Sequence, residues 1–192
     1  MTDLTPADRK QALRAEAFAR REGLDRAFRH EAAQAIAAHA LAAPELQALQ
    51  PVGGYWPIRS EVDSRPLMEA LLARGQGVAL SQILHPHLSW REWHPGDMLV
   101  HGGFGVSEPG PDAAEVFPRA LLVPLAAFDR RGGRLGYGKG HFDRSIAELS
   151  SRHPVLAIGL AYAAQEIEDV PREPHDRLLD FIVTEAGIVR PH

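Results

Sequence analysis

The stretch with the most chemistry per residue is F-D-R-R-G-G-R-L-G-Y-G-K-G-H-F-D, Phe128 to Asp143. Glycines at 132, 133, 136, 138 and 140 let a backbone turn sharply and aim successive N–H groups inward. Such a concavity binds phosphate, and a helix opening near His141 would add its positive end. Arg134 and Lys139 are cations of the type that grip polyphosphate. Gly133 to Lys139 fills the first seven positions of the Walker A pattern, but Gly140 stands where a magnesium-binding Ser or Thr belongs, so that motif fails. The dinucleotide spacing G-x-G-x-x-G is also absent. Spacing alone leaves two readings open, a phosphate cradle or a glycine-rich hairpin with exposed basic residues.

Other groups are candidates around this stretch. Lys10 and Arg14 lie four apart, on one face of a helix, from which two cations reach a phosphate. Asp143 follows the glycines, and Asp176 and Asp180 precede the last apolar strand; carboxylates beside a nucleotide are the usual ligands of Mg²⁺. Glu61 suits a polar ligand or simply begins a loop. Trp90, Trp93, Phe104 and Tyr137 can stack on a flat heterocycle, although core packing is the commoner use of such rings. His85 and His87 bracket Pro86 with no acid or third histidine at metal spacing, and read as surface groups. The absence of cysteine removes disulfides, thiolate catalysis and zinc–thiolate sites. No G-x-S-x-G elbow or H-E-x-x-H pair is present, which weakens hydrolase readings.

The elements that must position these groups follow from periodicity. Thr5-Pro6-Ala7-Asp8 is a helix start, and Leu13, Ala17, Phe18 and Arg21 keep helical spacing up to a stop at Gly23. A second, Ala-rich helix spans about Asp25 to Ala43, closed by Pro44, and Pro44 to Pro51 is a connector with room for one further helical turn. Strands and helices then alternate: Val52–Ile58 a strand, Leu67–Arg74 a helix behind Ser64, Gly77–Leu84 a strand, and Leu88–Trp93 an edge strand. The run from Ala120 to Phe128 is apolar enough to be buried on both faces of a sheet. His141–Leu149 reads as a helix, and Val155–Tyr162 and Phe181–Glu185 as buried strands. This pattern predicts an α/β fold, a three-layer α/β/α sandwich with a largely parallel sheet, forming a single domain over residues 1–192 with a helical N-terminal segment. Ligands of such sheets sit beyond the carboxyl ends of the strands.

Composition agrees. The chain has 192 residues, 45% hydrophobic and 24% charged, an ordinary globular balance that excludes a disordered chain. A net charge of −4 without a basic run argues against sequence-independent nucleic-acid binding. No apolar run approaches a membrane span and no secretory core opens the chain, so a soluble, cytoplasmic protein is expected, with no membrane partner.

LLVPLAAFDRRGGRLGYGKGHFDR (Leu121 to Arg144) also resembles the signature of the 5-formyltetrahydrofolate cyclo-ligase (5,10-methenyltetrahydrofolate synthetase) family: an apolar strand, F-D, G-x-R-L-G-x-G-x-G and an aromatic-Asp pair. Matching blocks run along nearly the whole chain: Lys10 with Arg14, Tyr55 through Glu61, Trp93-x-Pro95-Gly96-Asp97, Phe104-Gly105-x-x-Glu108-Pro109, Gln165, and Asp176-x-x-x-Asp180 with Val183-Thr184-Glu185. The resemblance implies ATP- and Mg²⁺-dependent closure of 5-formyltetrahydrofolate to 5,10-methenyltetrahydrofolate, by phosphorylation of the formyl oxygen and attack of N10, with release of ADP and phosphate. It assigns Lys10, Arg14, Arg134 and the loop Leu135, Gly136, Tyr137, Gly138, Lys139, Gly140, His141 and Phe142 to ATP, with Arg134 and Lys139 catalytic. Trp56, Glu61, Tyr137, Lys139 and His141 would face the folate, and Asp143 and Asp180 would hold magnesium. A monomer acting on these two small molecules is expected; the alternative is a family member that binds nucleotide or folate without turnover. Three positions depart from the family's pattern: Ser81 replaces a common proline, Arg119-Ala120 stands where an acid often precedes the apolar strand, and His141 replaces the first of two tyrosines.

Overall fold

The computed structural model describes residues 6–192. Thr5, read above as part of a helix start, lies outside them, and α1 runs Pro6–Glu22. Asp25 caps α2 (Arg26–Ala42), its carboxylate accepting from the backbone of Ala27 and Phe28, and α3 (Pro44–Gln47) is the extra turn. Then come β1 (Val52–Gly54), α4 (Arg65–Ala73), β2 (Val78–Leu84) and β3 (His87–Glu92). A small hairpin, β4 (Leu99–His101) and β5 (Ser107–Pro109), precedes β6 (Ala120–Pro124). The chain ends with β7 (Ala127–Phe128), β8 (Arg134–Leu135), α5 (His141–Ser150), β9 (Leu156–Leu160), β10 (Phe181–Thr184) and β11 (Gly187–Val189).

The main sheet has seven strands in the order β11-β10-β9-β6-β1-β2-β3. The five inner strands are mutually parallel, and β11 and β3 close the two edges antiparallel. Alternation along β6 shows why the sheet needs a layer on each side. Leu122 points into one core with Ile36, Leu67, Met68 and Leu71 of α2 and α4, whereas Leu121 and Val123 point into another with Ile146 and Leu149 of α5. The three-layer expectation holds. No helix among the described residues is long and apolar enough to cross a membrane.

Several boundaries differ from the periodicity. The first strand stops at Gly54, so Tyr55–Ile58 is a loop, free to present side chains to a ligand. Ser64 precedes α4 but does not cap it: its hydroxyl donates to the Tyr55 carbonyl at 2.5 Å. The apolar run after Arg119 breaks at Leu125 and Ala126 into β6 and β7. Strand β11 carries too few residues for a two-residue period to register.

Helix α1 belongs to neither face of the sheet. Its Ala17 packs with Ala126, Ala127, Leu135 and Val170, beyond the carboxyl end of β6. Its cations therefore face the end of the sheet where ligands of this architecture bind.

Candidate active site

The glycine stretch divides into two parts with different work. Residues 127–135 form the β7–β8 hairpin, so for Gly132 and Gly133 the hairpin reading is the correct one. Asp129, fully buried, fastens the turn: it accepts from the backbone N–H groups of Arg131, Gly133 and Val170, each at 2.9 Å. Burial alone would raise its pKa, but these three donors hold it below the usual carboxylate value. The chain leaves the hairpin after Leu135, and residues 134–143 line a cleft.

That cleft, about 810 Å³, opens beyond the carboxyl ends of β1 and β6, a size typical of small-molecule sites. Gly138 and Gly140 shape one wall of it. Both have positive φ, 86° and 66°, which a side chain would strain. A Cβ on Gly138 would also sit 3.4 Å from the Arg14 guanidinium, and Gly140 is the residue from which α5 starts. The loop is tied from both sides. Arg14 Nε donates to the Gly136 carbonyl at 2.9 Å, and Arg144 donates to the Pro86 carbonyl at 2.9 Å and to the Lys139 carbonyl.

Lys10 and Arg14 both line the cleft, so the helix face they share is turned toward it. Lys10 Nζ bonds Glu173 Oε2 at 2.6 Å and Asp176 Oδ2 at 2.9 Å. Burial opposes its charge, but these two acids outweigh that and raise its pKa. Arg134, deeply buried, donates to Asp143 Oδ1 at 2.7 Å and to the Arg177 carbonyl. Arg177 N donates to the same Asp143 oxygen at 2.8 Å.

Also lining the cleft, Glu61 is buried, and its Oε2 accepts from Ile58 N at 2.9 Å. Burial raises its pKa, opposed by the Ile58 N–H, Arg21, the Tyr137 hydroxyl and Arg59. Trp56 lines it as well, edge-on to Trp93 at 6.1 Å between centroids. Trp90 and Trp93 are core residues, Trp90 bonding Ser145 Oγ through Nε1 at 2.9 Å. His141 Nδ1 lies 3.1 Å from the Pro86 carbonyl, so the Nδ1–H tautomer fits, and burial lowers its pKa.

The cleft therefore gathers Lys10, Arg14, Trp56, Glu61 and all of Arg134 to Asp143. Asp180 is not brought to it. Its Oδ2 accepts from Ala157 N at 2.6 Å, and it is exposed where β10 begins. In a parallel sheet the start of a strand lies at the opposite edge from the carboxyl ends, so Asp180 and Asp143 do not share the cleft. Asp176, four residues earlier, is the acid on that wall, together with Glu173 and His175. Sequence reasoning missed Glu173, His175 and Arg59. Glu173 lies 163 positions from its partner Lys10, a separation that no local spacing reveals.

Comparison with known proteins bears on this geometry. Residues 6–185 match the model of the 5-formyltetrahydrofolate cyclo-ligase family. A 5-formyltetrahydrofolate cyclo-ligase of Haemophilus influenzae is 30% identical over 184 residues, covering 91% of this chain and 97% of that protein. One from Escherichia coli K12 is 30% identical over 177 residues, covering 88% and 96%. Among solved structures, the 5,10-methenyltetrahydrofolate synthetase of Aquifex aeolicus superposes with a TM-score of 0.81 at 32% identity, covering 94% of this chain and 92% of that one.

Proposed function

The chain belongs to the 5-formyltetrahydrofolate cyclo-ligase family, and we propose that its cleft closes 5-formyltetrahydrofolate to 5,10-methenyltetrahydrofolate at the expense of ATP. The observation that carries this reading is one cleft with two unlike ends: a glycine loop flanked by Lys10, Arg14, Arg134 and Lys139, and a buried carboxylate, Glu61, beside Trp56. Phosphate suits the first end. The second suits a pterin, whose N–H edge pairs with a carboxylate much as a guanidinium does.

A formamide oxygen is a poor leaving group. Transfer of the γ-phosphoryl to it breaks the bond to ADP and gives an iminium phosphate. N10 of the same substrate then attacks the formyl carbon and loses its proton. The carbon–oxygen bond breaks, phosphate leaves with the former formyl oxygen, and the methenyl bridge remains. No protein nucleophile is needed, in keeping with the absence of cysteine. The chain's part is in-line positioning and charge neutralisation. Loop N–H groups and Arg14 hold the polyphosphate, and Lys139 meets the charge that develops on the transferring group. Arg134 carries its positive charge to that wall while fixing Asp143.

Magnesium, which the family implies, fits the donor set, since Asp143, Glu173 and Asp176 offer the hard oxygens it prefers. Asp143 and Asp176, both on the cleft wall, would hold the ion, and the bound ion would neutralise phosphate charge. Mixing the protein with MgATP and 5-formyltetrahydrofolate tests the proposal. Growth of the near-ultraviolet absorbance of the methenyl product with equimolar ADP supports it; binding of both ligands without turnover contradicts it and makes the chain a binder.

A further inference from the structure

Arg21 is the least accessible cation of the cleft region and has no part in the chemistry above. It sits on α1 at 1% exposure, eleven residues after Lys10 and seven after Arg14, hence on the same helix face. A buried guanidinium is costly unless every donor is used. Here Nε donates to Ser60 Oγ at 3.0 Å, one terminal nitrogen to the Leu125 carbonyl at 3.3 Å and the other to the Tyr137 hydroxyl at 2.8 Å. Its carbon also lies 5.2 Å from the centre of the Phe18 ring and 5.8 Å from that of Tyr137. No carboxylate among the described residues pairs with it directly. The three partners come from three separate segments: the loop after β1, the end of β6, and the glycine loop. The Tyr137 hydroxyl accepts from Arg21 and lies beside the Glu61 carboxylate, and Ser60, the other side-chain partner of Arg21, is the residue before Glu61.

We propose that Arg21 is a positioning residue for the folate end of the cleft, aiming Glu61 through Ser60, the residue before it, and through the Tyr137 hydroxyl, and locking the loop after β1 to the glycine loop. The inference rests on the assignment of Glu61 to the pterin. Without the guanidinium, Tyr137 loses its donor and Glu61 loses the main side-chain cation facing it. The remaining groups around that carboxylate are Arg59 and Tyr55 on its own loop, the Ile58 N–H and Tyr137. Protonated Glu61 accepts one hydrogen bond fewer and pairs poorly with two N–H groups, so folate should suffer and ATP should not. The helix that carries phosphate-end cations would thus also set the affinity of the opposite end.

The test is a mutant cycle on the full-length enzyme. Arg21→Gln should raise the KM for 5-formyltetrahydrofolate about tenfold at neutral pH and change the KM for ATP less than twofold. It should move the acid limb of kcat/KM for folate to higher pH, because Glu61 then protonates more readily. Arg21→Lys should restore part of both effects. On a Glu61→Gln background, Arg21→Gln should add less than twofold. Should Arg21→Gln fail to fold, Tyr137→Phe cuts the same chain of bonds from the exposed side and should reproduce the pH shift. If Glu61→Gln alone leaves folate binding unmoved, the pterin assignment fails. If Glu61→Gln weakens folate, the assignment stands. The role of Arg21 is then overturned by either of two results: an unmoved pH profile, or an equal loss with and without Glu61.

Discussion

At the scale of single residues, the cleft divides its charges between holding and reacting. Arg14, Arg134 and Lys10 are each tied to a named partner, which fixes their positions before any ligand arrives. Lys139 lines the cleft between Gly138 and Gly140, and in the proposed mechanism it is the cation that meets the charge on the transferring phosphoryl group. Lys139→Ala should therefore lower kcat by about 10²-fold or more, roughly 2.7 kcal/mol, with the fold retained. Circular dichroism together with steady-state kinetics would check this, and near-normal turnover would remove Lys139 from the mechanism. The acids separate in the same way. Asp143→Asn should raise the magnesium concentration needed for half-maximal rate, whereas Asp180→Asn should leave it unchanged, because Asp180 bonds Ala157 N outside the cleft. An equal shift in both variants would return Asp180 to the metal.

At the scale of elements, the decisive unit is the β7–β8 hairpin with its Asp129 anchor, since it fixes where Arg134 begins the cleft wall. Asp129→Asn keeps the shape but replaces an ionised acceptor of three backbone donors by a neutral one. It should destabilise the protein by about 2–3 kcal/mol at pH 7. Its pKa is lower folded than unfolded. The stability it contributes is thus present above the unfolded carboxylate value, near ~4, and is lost as pH falls through the folded one. Urea midpoints of parent and variant should accordingly converge as the solution is made acid; a constant gap would mean that the turn depends on packing and not on the charge. Helix α1 is the second unit. It packs through Ala17 and sends Lys10, Arg14 and Arg21 from one face to the two ends of the cleft.

At the scale of the whole molecule, the parallel core was legible because strands buried on both faces must be apolar throughout, as at Leu121–Val123 and Ala157–Leu160. The glycine loop was legible because a chain that turns through positive φ demands glycine, as at 138 and 140. What stayed hidden depends on chain direction and on contacts between distant residues. Asp176 and Asp180 look equivalent in sequence, and only the course of the chain into β10 puts one on the cleft wall and the other away from it. The pairing of Lys10 with Glu173, and the burial of Arg21 among Ser60, Leu125 and Tyr137, likewise arise only when α1 is folded onto the sheet end. The central claim is that this cleft activates a formyl oxygen with ATP. The direct test is to run one turnover with 5-formyltetrahydrofolate carrying ¹⁸O in the formyl group and weigh the released phosphate by mass spectrometry. Phosphorylation of the formyl oxygen puts one ¹⁸O in each phosphate formed with methenyl product, whereas unlabelled phosphate beside full product formation excludes that step.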